Sequence, residues 1–528
     1  MALWSFCESG PNDLLLAAAF VVSISLVLNY IIAYLKIGKD STFPRGPRAW
    51  PIVGHLPLLA SGCPHRTFAD LSRIHGYGPI IGLRLGGCKS VIICDASIAR
   101  DVLMTHDQVF ANRPRYSFIQ ILLYGHGTSV SFTCYGALFN RLRKIYTSEL
   151  FSPSRLHELR HVREEEAHAM LRRLIHVSGV ATQPVDLKAI FGEMSMKIMI
   201  RLLQSKKTGA ATDGKEALLA RLVEALVEDA KPIISDFLPW LKFVDILTKR
   251  RMMHVHDCFD ELIDAIIQER KEATVDLPSD ALPQDLLQVL LSKEAPSNWR
   301  NETGSEEFLT IQQIKGIILD ILTAGTHTTS LTLEWTMAEL LRNPRCFNKV
   351  RDEVEAVMVN SKLTGPLIMD EGTCKLPYLE LVVKEVMRLH PVVPLLLPRI
   401  SGEECKLGKY ILPKDTQVFV NVWQLGRDPN LWGEEAEKFI PERFAKKEMD
   451  LKGQNFGLLP FGSGRRMCPG MRLGLSLVQM TIANLVRVFD WELPHGQLID
   501  MEEKRGISNG KGTPLLAIPK LRSSDIQV

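Results

Sequence analysis

The chain has 528 residues, far longer than a typical domain of ~100–150, with 46% hydrophobic and 23% charged residues. This composition excludes a largely disordered chain, and a formal charge of +3 from 63 basic and 60 acidic side chains is too small to imply a nucleic-acid partner, although it leaves room for local basic patches. Ten cysteines, at 7, 63, 88, 94, 134, 258, 346, 374, 405 and 468, show neither a C-x-x-C pair nor regular spacing, which argues against a zinc site and a disulfide framework.

Leu14 to Leu35 is the first element: 22 residues without a formal charge, interrupted only by Ser23, Ser25 and Asn29 among strongly polar side chains. About 20 apolar residues span a bilayer core. Glu8 and Asp13 precede the run and Lys36 and Lys39 follow it, so residues 1–13 are expected outside the cytosol, 14–35 as a single transmembrane anchor, and the rest inside. A cleaved secretory signal would have a charged first region, a shorter apolar run and a small-x-small site. Cytosolic placement agrees with ten unpatterned thiols and makes the sequon Asn301-Glu302-Thr303 silent. Residues 36–55 read as a stiff linker, with prolines at 44, 47 and 51 that forbid a continuous helix.

Residues 56–528 contain no internal repeat and no long Gly/Ser- or Pro-rich tract, so one large catalytic domain is expected. Helical patterns cover Leu150–Ile175, Glu216–Ala230, Met252–Lys271 and Ile311–Leu341, while strand-like runs gather near 79–94 and 408–421. The fold class is therefore mainly α with small β-sheets. Ser205–Lys215 and Lys293–Glu307 read as polar loops. In the long helix, Ile314, Ile317, Ile318, Ile321 and Leu322 form one buried stripe, after which Ala324-Gly325-Thr326-His327-Thr328-Thr329 interrupts it. A glycine there costs about 1 kcal/mol of helix propensity, which suggests that something approaches the backbone.

Pro460 to Gly470, PFGSGRRMCPG, is a glycine-rich loop with two arginines that ends on Cys468 and enters a helical stretch, Met471–Val486. Glycines permit turns that aim backbone N–H groups at a thiolate, and the arginines and following helix N-terminus favour an anionic sulfur. Phe461-x-x-Gly464-x-Arg466-x-Cys468-x-Gly470 resembles the haem-binding signature of the cytochrome P450 family. Glu385-x-x-Arg388 resembles that family's E-x-x-R, with both charges on one helix face, and Phe439–Phe444 resembles its P-E-R-F segment. The match extends through residues 44–54, 421–429 and 324–329 and is nearest to the plant microsomal members.

The resemblance implies a cytochrome P450 fold with one N-terminal transmembrane helix, haem b bound by the Cys468 thiolate, and O2 as cosubstrate. Haem contacts fall on Arg143, Arg399, Phe461, Arg466 and Gly470, and a buried network on Glu385, Arg388 and Arg443. Thr328 and His327 would deliver protons, and Tyr116, Phe118, Ala324, Val393, Leu396 and Ile507 would touch a hydrophobic, phenylpropanoid- or flavonoid-like substrate. Electrons would come from NADPH through an NADPH-cytochrome reductase, docking near Lys144 and Arg465, at the endoplasmic reticulum membrane. Two positions depart from the family: His327 stands where an acid usually precedes the threonine, and Phe139 where a tryptophan usually precedes Arg143 by four residues, removing an indole N–H from the haem. A haem-thiolate isomerase or dehydratase working without O2 is one alternative, which the retained Thr328 disfavours. A non-catalytic haem sensor is the other.

Overall fold

The computed structural model describes residues 42–60, 62–180, 183–204, 213–274, 285–296, 308–360, 367–446, 449–494 and 498–522, together with Val21, Ile24 and Ser25. The expected anchor at 14–35 lies almost wholly outside these, and so do the boundaries at 13 and 35. Among the described residues no helix is long and apolar enough to cross a membrane.

Helices dominate. Those that build the site are α1 (Ala137–Lys144), α2 (Leu187–Gln204), α3 (Asp213–Asp229), α4 (Ile311–Arg342), α5 (Pro377–Leu389) and α6 (Met471–Val488). A four-stranded sheet joins β1 (Ile80–Leu85), β2 (Cys88–Ile93), β3 (Arg399–Ile400) and β4 (Gln417–Val420) in the order β1-β2-β4-β3. Only the β2–β4 pairing is parallel. A three-stranded sheet and a two-stranded hairpin complete the described strands.

The helix expected over Leu150–Ile175 is divided. Ile145–Leu150 winds as a π-turn, and Pro153–Glu158 and Arg160–Val180 form separate helices. Pro153 lacks the N–H that would continue the earlier turn, and the Ser152 hydroxyl instead accepts from the Arg155 N–H at 3.3 Å to start a new helix.

α4 starts on a reciprocal cap: the Thr310 hydroxyl accepts from the Gln313 N–H at 3.2 Å, and the Gln313 amide oxygen accepts from the Thr310 N–H at 3.0 Å. It then runs through the centre of the largest apolar cluster, packed mainly on α2 and also on α6. The group approaching its backbone break is Met199 of α2: a Cβ at Gly325 would lie 2.3 Å from the Met199 sulfur. The glycine lets the two helices pack closely, and a larger residue there would require the Met199 side chain to move. One residue earlier Ala324 is exposed, although Leu322 and Thr326 beside it are buried. A stretch of accessible surface in the middle of a core helix marks an internal chamber.

Candidate active site

The cysteine loop holds a second accessible group enclosed by protein, which fits a place on the same chamber. Gly462 and Gly464 adopt φ of +69° and +67°, and a Cβ at Gly464 would fall 2.1 Å from the Leu103 carbonyl oxygen, so only glycine fits. The Cys468 N–H donates to the Phe461 carbonyl at 2.9 Å, closing the loop, and the Gly470 N–H donates to the sulfur. Gly470 caps α6. Cys468 has accessible surface although protein surrounds it, so it too opens onto the chamber. Burial pushes its thiol up, while the Gly470 N–H and the Arg143 cation favour the thiolate.

Four arginines converge on this loop. Arg143, carried by α1, donates to the Met467 carbonyl at 2.5 Å, and Arg399, on β3, donates to the Ser463 carbonyl at 3.2 Å. Arg466 donates to the Ala111 and Val130 carbonyls at 2.7 and 3.0 Å and to the Thr133 carbonyl, and its guanidinium lies 3.9 Å over the Phe139 ring. Phenylalanine at 139 therefore supports the arginine by its face, where the indole would have added an N–H. The fourth, Arg113, had no sequence motif to mark it. Its guanidinium is buried and donates to the Ser131, Leu397 and Pro398 carbonyls, all at 2.8 Å.

These cations are short of counter-charge. Burial pushes Arg399 down to about 10 and Arg466 to about 9, and Arg113 is held well below the ordinary guanidinium value by burial and by its neighbours Arg466 and Arg399. One terminal nitrogen of Arg399 is buried without a hydrogen-bond partner. Buried guanidinium groups bonded mostly to carbonyls fit a bound group with two carboxylates, as haem has.

The second expected network is present in full geometry. Arg388 meets Glu385 through two hydrogen bonds of 2.7 and 2.8 Å, and Arg443 meets the same carboxylate at 2.9 Å, as does the Ile440 N–H at 2.8 Å. Glu385 and Arg388 are fully buried, and Arg388 also donates to the Gly426, Ala436 and Lys438 carbonyls. This knot fastens α5 to residues 426–443, just ahead of the cysteine loop.

The α4 break forms another wall. The Thr328 hydroxyl donates to the Ala324 carbonyl at 2.6 Å, and Thr332 donates in turn to the Thr328 carbonyl at 2.8 Å. His327 contacts the Ser508 hydroxyl at 3.0 Å through Nε2. Burial first, then Lys188 and Lys504, push this imidazole down to about 4, against the raising influence of Glu224 and Glu228. His327 is thus neutral near pH 7, and not the half-protonated shuttle that an unperturbed imidazole would be.

Among the expected substrate contacts, Tyr116 and Phe118 are buried and stacked at 5.8 Å, and the Tyr116 hydroxyl donates to Gln417 at 3.1 Å. Val393 and Leu396 are half-buried in a turn closed by the Leu396 N–H on the Val393 carbonyl at 3.1 Å. Leu396 takes φ of +52°, a strained value for a leucine, and reaches the Gly462 side of the cysteine loop. Ile507 is 43% exposed and no apolar cluster includes it.

Elsewhere, Cys63, His65 and Glu503 bring ligand-type atoms within 4.8 Å of one another. Both Glu503 oxygens are already engaged, by His65 and Arg66 on one and by Trp423 and Asn509 on the other. Two donors on each oxygen and a guanidinium alongside make this a cross-link between distant segments and oppose a metal.

The family model described as Cytochrome P450 matches residues 44–517. The chain is 37% identical to the cytochrome P450 CYP736A12 of Panax ginseng, over 93% of this chain and 95% of that one. It is 34% identical to a flavonoid 3'-monooxygenase of Petunia hybrida, over 97% and 98%, and 35% identical to salviol synthase of Salvia pomifera, over 95% and 98%. Its fold is similar to that of a zebrafish cytochrome P450 solved with progesterone, at a TM-score of 0.72 and 26% identity, covering 87% of this chain and 99% of that one.

Proposed function

The chain belongs to the cytochrome P450 family of monooxygenases, and on that premise we propose that it inserts one atom of O2 into a flavonoid- or phenylpropanoid-like plant metabolite, using electrons from NADPH passed on by a membrane-bound reductase. The observation that carries the reading is the set of buried and half-buried, carbonyl-bonded arginines around a cysteine loop whose Cys468 is accessible within enclosing protein. Bound there, haem would supply the oxygen-activating chemistry, with Cys468 as its thiolate ligand. Arg113, Arg143, Arg399 and Arg466 would hold its carboxylates. The Gly470 N–H steadies the sulfur, and the Glu385 knot fixes the segment leading into the loop.

On the other wall, Thr328 holds its hydroxyl proton toward the Ala324 carbonyl, where the helix is open to the chamber. Ala324, Val393 and Leu396 offer an apolar surface, which suits a ring-containing substrate with few polar groups, whereas Tyr116 and Phe118 are buried and the Tyr116 hydroxyl is already given to Gln417. Relatives named as flavonoid 3'-monooxygenases favour that class.

Residence at the endoplasmic reticulum membrane, with the catalytic domain in the cytosol, is supported by the apolar run 14–35 and by a surface patch. Trp240, Phe243, Val244, Ile246 and Leu247 are exposed together, close in sequence to Lys242, Lys249, Arg250 and Arg251. The turn between β1 and β2 places this patch near the linker: the Gly87 N–H donates to the Phe237 carbonyl and the Gly86 N–H to the Val53 carbonyl, both at 3.1 Å, beside exposed Trp50 and Ile52.

The test is a carbon monoxide difference spectrum of the reduced protein, followed by product analysis with a plant reductase, NADPH and a flavonoid panel. A thiolate-type Soret band and a hydroxylated product are expected. A carbonyl complex without that band would sink the Cys468 role, and a thiolate band with no oxidised product from any class would return the isomerase reading to the front.

A further inference from the structure

His327, on α4, sits where three other segments meet, and each brings a polar or charged group to it. α2 contributes Lys188, α3 contributes Glu224 and Glu228, and residues 504–508 contribute Lys504 and Ser508. The charges pair among themselves: Lys188 with Glu224 at 2.5 Å, Lys504 with Glu228 at 2.6 Å and with Glu224 at 3.8 Å. Their side chains are graded from outside to inside, with Lys504 and Glu228 both 45% accessible, Glu224 39% and Lys188 21%. His327 is the innermost titratable group of the five, and its Nε2 is engaged by a hydroxyl, not by any of the charges.

Ser508 is held in place by its neighbour. The Asn509 N–H donates to the Val392 carbonyl at 2.9 Å, and the Asn509 carbonyl accepts from the Trp335 indole of α4 at 2.8 Å, two turns beyond His327. Asn509 is completely buried, and Gly510 lies against Leu331 of the same helix. The hydroxyl is therefore fixed relative to α4 itself.

We propose that Ser508 is the positioning residue for His327, and that the pair forms a neutral imidazole–hydroxyl relay carrying protons from the Glu224/Glu228/Lys188/Lys504 cluster to the α4 break. The proposal rests on the monooxygenase reading, in which protons are consumed at that break. A neutral imidazole has one N–H and one acceptor nitrogen. A proton taken up on the acceptor nitrogen is matched by one released from the other, so the ring ends neutral in its second tautomer. A half-turn of the ring then returns the protonated nitrogen to the releasing side, and the Ser508 hydroxyl, which can both donate and accept, bonds whichever nitrogen faces it. Depression of the imidazole by burial and the two lysines suits this role, because a ring that stayed protonated would block transfer.

The experiment uses the full chain in detergent with ring-15N histidine, taking His327→Gln to identify the His327 signals, and compares Ser508→Ala with Ser508→Thr. The ring-nitrogen spectrum reports tautomer and charge. In parallel, the holoenzyme's product per NADPH and its solvent deuterium isotope effect are measured with a flavonoid substrate. Ser508→Ala should redistribute the His327 tautomers, raise uncoupled NADPH consumption several-fold and enlarge the isotope effect with KM unchanged, whereas Ser508→Thr should restore all three. An unchanged nitrogen spectrum with unchanged coupling in Ser508→Ala overturns the relay. A wild-type protein that binds haem but oxidises nothing overturns the monooxygenase reading instead, and the nitrogen spectrum then still decides for or against Ser508 as the residue that sets the ring.

Discussion

The two walls of the chamber use polar groups in opposite ways. Around Cys468 the arginines are bonded mostly to fixed backbone carbonyls, and Glu385 is shared by two guanidinium groups and an amide. Nothing there is arranged to move. Across the chamber, hydroxyls bond back to their own helix and a neutral imidazole meets a serine, so every proton has a second place to go. Holding a cofactor calls for the first kind of wall, and supplying protons calls for the second.

The largest effect should come from removing the ligand. Cys468→Ala should abolish the thiolate-type carbonyl band and all oxygenation while leaving far-ultraviolet circular dichroism nearly unchanged. Next comes the knot: Glu385→Gln leaves two buried guanidinium groups facing a neutral amide, and breaking such a pair costs about 3–5 kcal/mol. The variant should unfold at markedly lower temperature and lose haem on gel filtration; normal haem retention would show that the rigid wall does not depend on it.

Arg399 separates cofactor binding from folding. Arg399→Met removes a buried cation that the protein alone leaves partly unpartnered. Haem affinity should fall about tenfold or more, roughly 1.4 kcal/mol or above, while the haem-free chain should be as stable as before or more so, measured by haem titration and by urea unfolding of the apoprotein. A less stable apoprotein would mean that the arginine serves the fold, not the cofactor.

Two groups on α4 should give pH dependences of opposite sign. Burial raises Asp320 to about 6, above an unfolded carboxyl, so the folded state binds the extra proton and stability falls as pH rises from about 4 to 6. His327, depressed to about 4, binds its proton more weakly when folded, so stability falls as pH drops from about 6.5 to 4. The two slopes offset each other in the native chain. Asp320→Asn should therefore expose a loss of stability on acidification, and His327→Gln a gain, each of order 1–3 kcal/mol; parallel urea-unfolding curves of the two variants across this range would contradict the assignment. The smallest effect belongs to the surface: Arg465→Ala removes an exposed pair with Asp107 at 3.2 Å and should change stability by under about 1 kcal/mol, while slowing reduction by the reductase at low salt.

Much of the rigid wall was legible in the chain. Cys468, Arg466, Glu385 and Arg388 lie in short motifs whose spacing carries their geometry, and the long helices over 216–230, 252–271 and 311–341 fall within or close to the observed α3, Ile246–Thr274 and α4. Arg113 was not legible, because its burial is decided by carbonyls at 131, 397 and 398, and no local pattern records contacts that distant. Ser508 is hidden for the same reason, 181 positions from the ring it touches. The division at Pro153 was visible as a proline and was masked by apolar spacing that runs on through it. A depressed imidazole is likewise a property of packing: the residue type suggests a group half-protonated near neutrality, and burial first, then the enclosing lysines, remove that.

Met194, Met196 and Met199 of α2 lie along the chamber's inner helices, with Met199 against Gly325 and the sulfurs of Met196 and Met194 each 4.0 Å from the hydroxyls of Thr326 and Thr481. Unbranched thioethers refill space that a stiffer side chain would leave empty. That seam is a cushion: residues packed against it can change size without the core behind them being rebuilt.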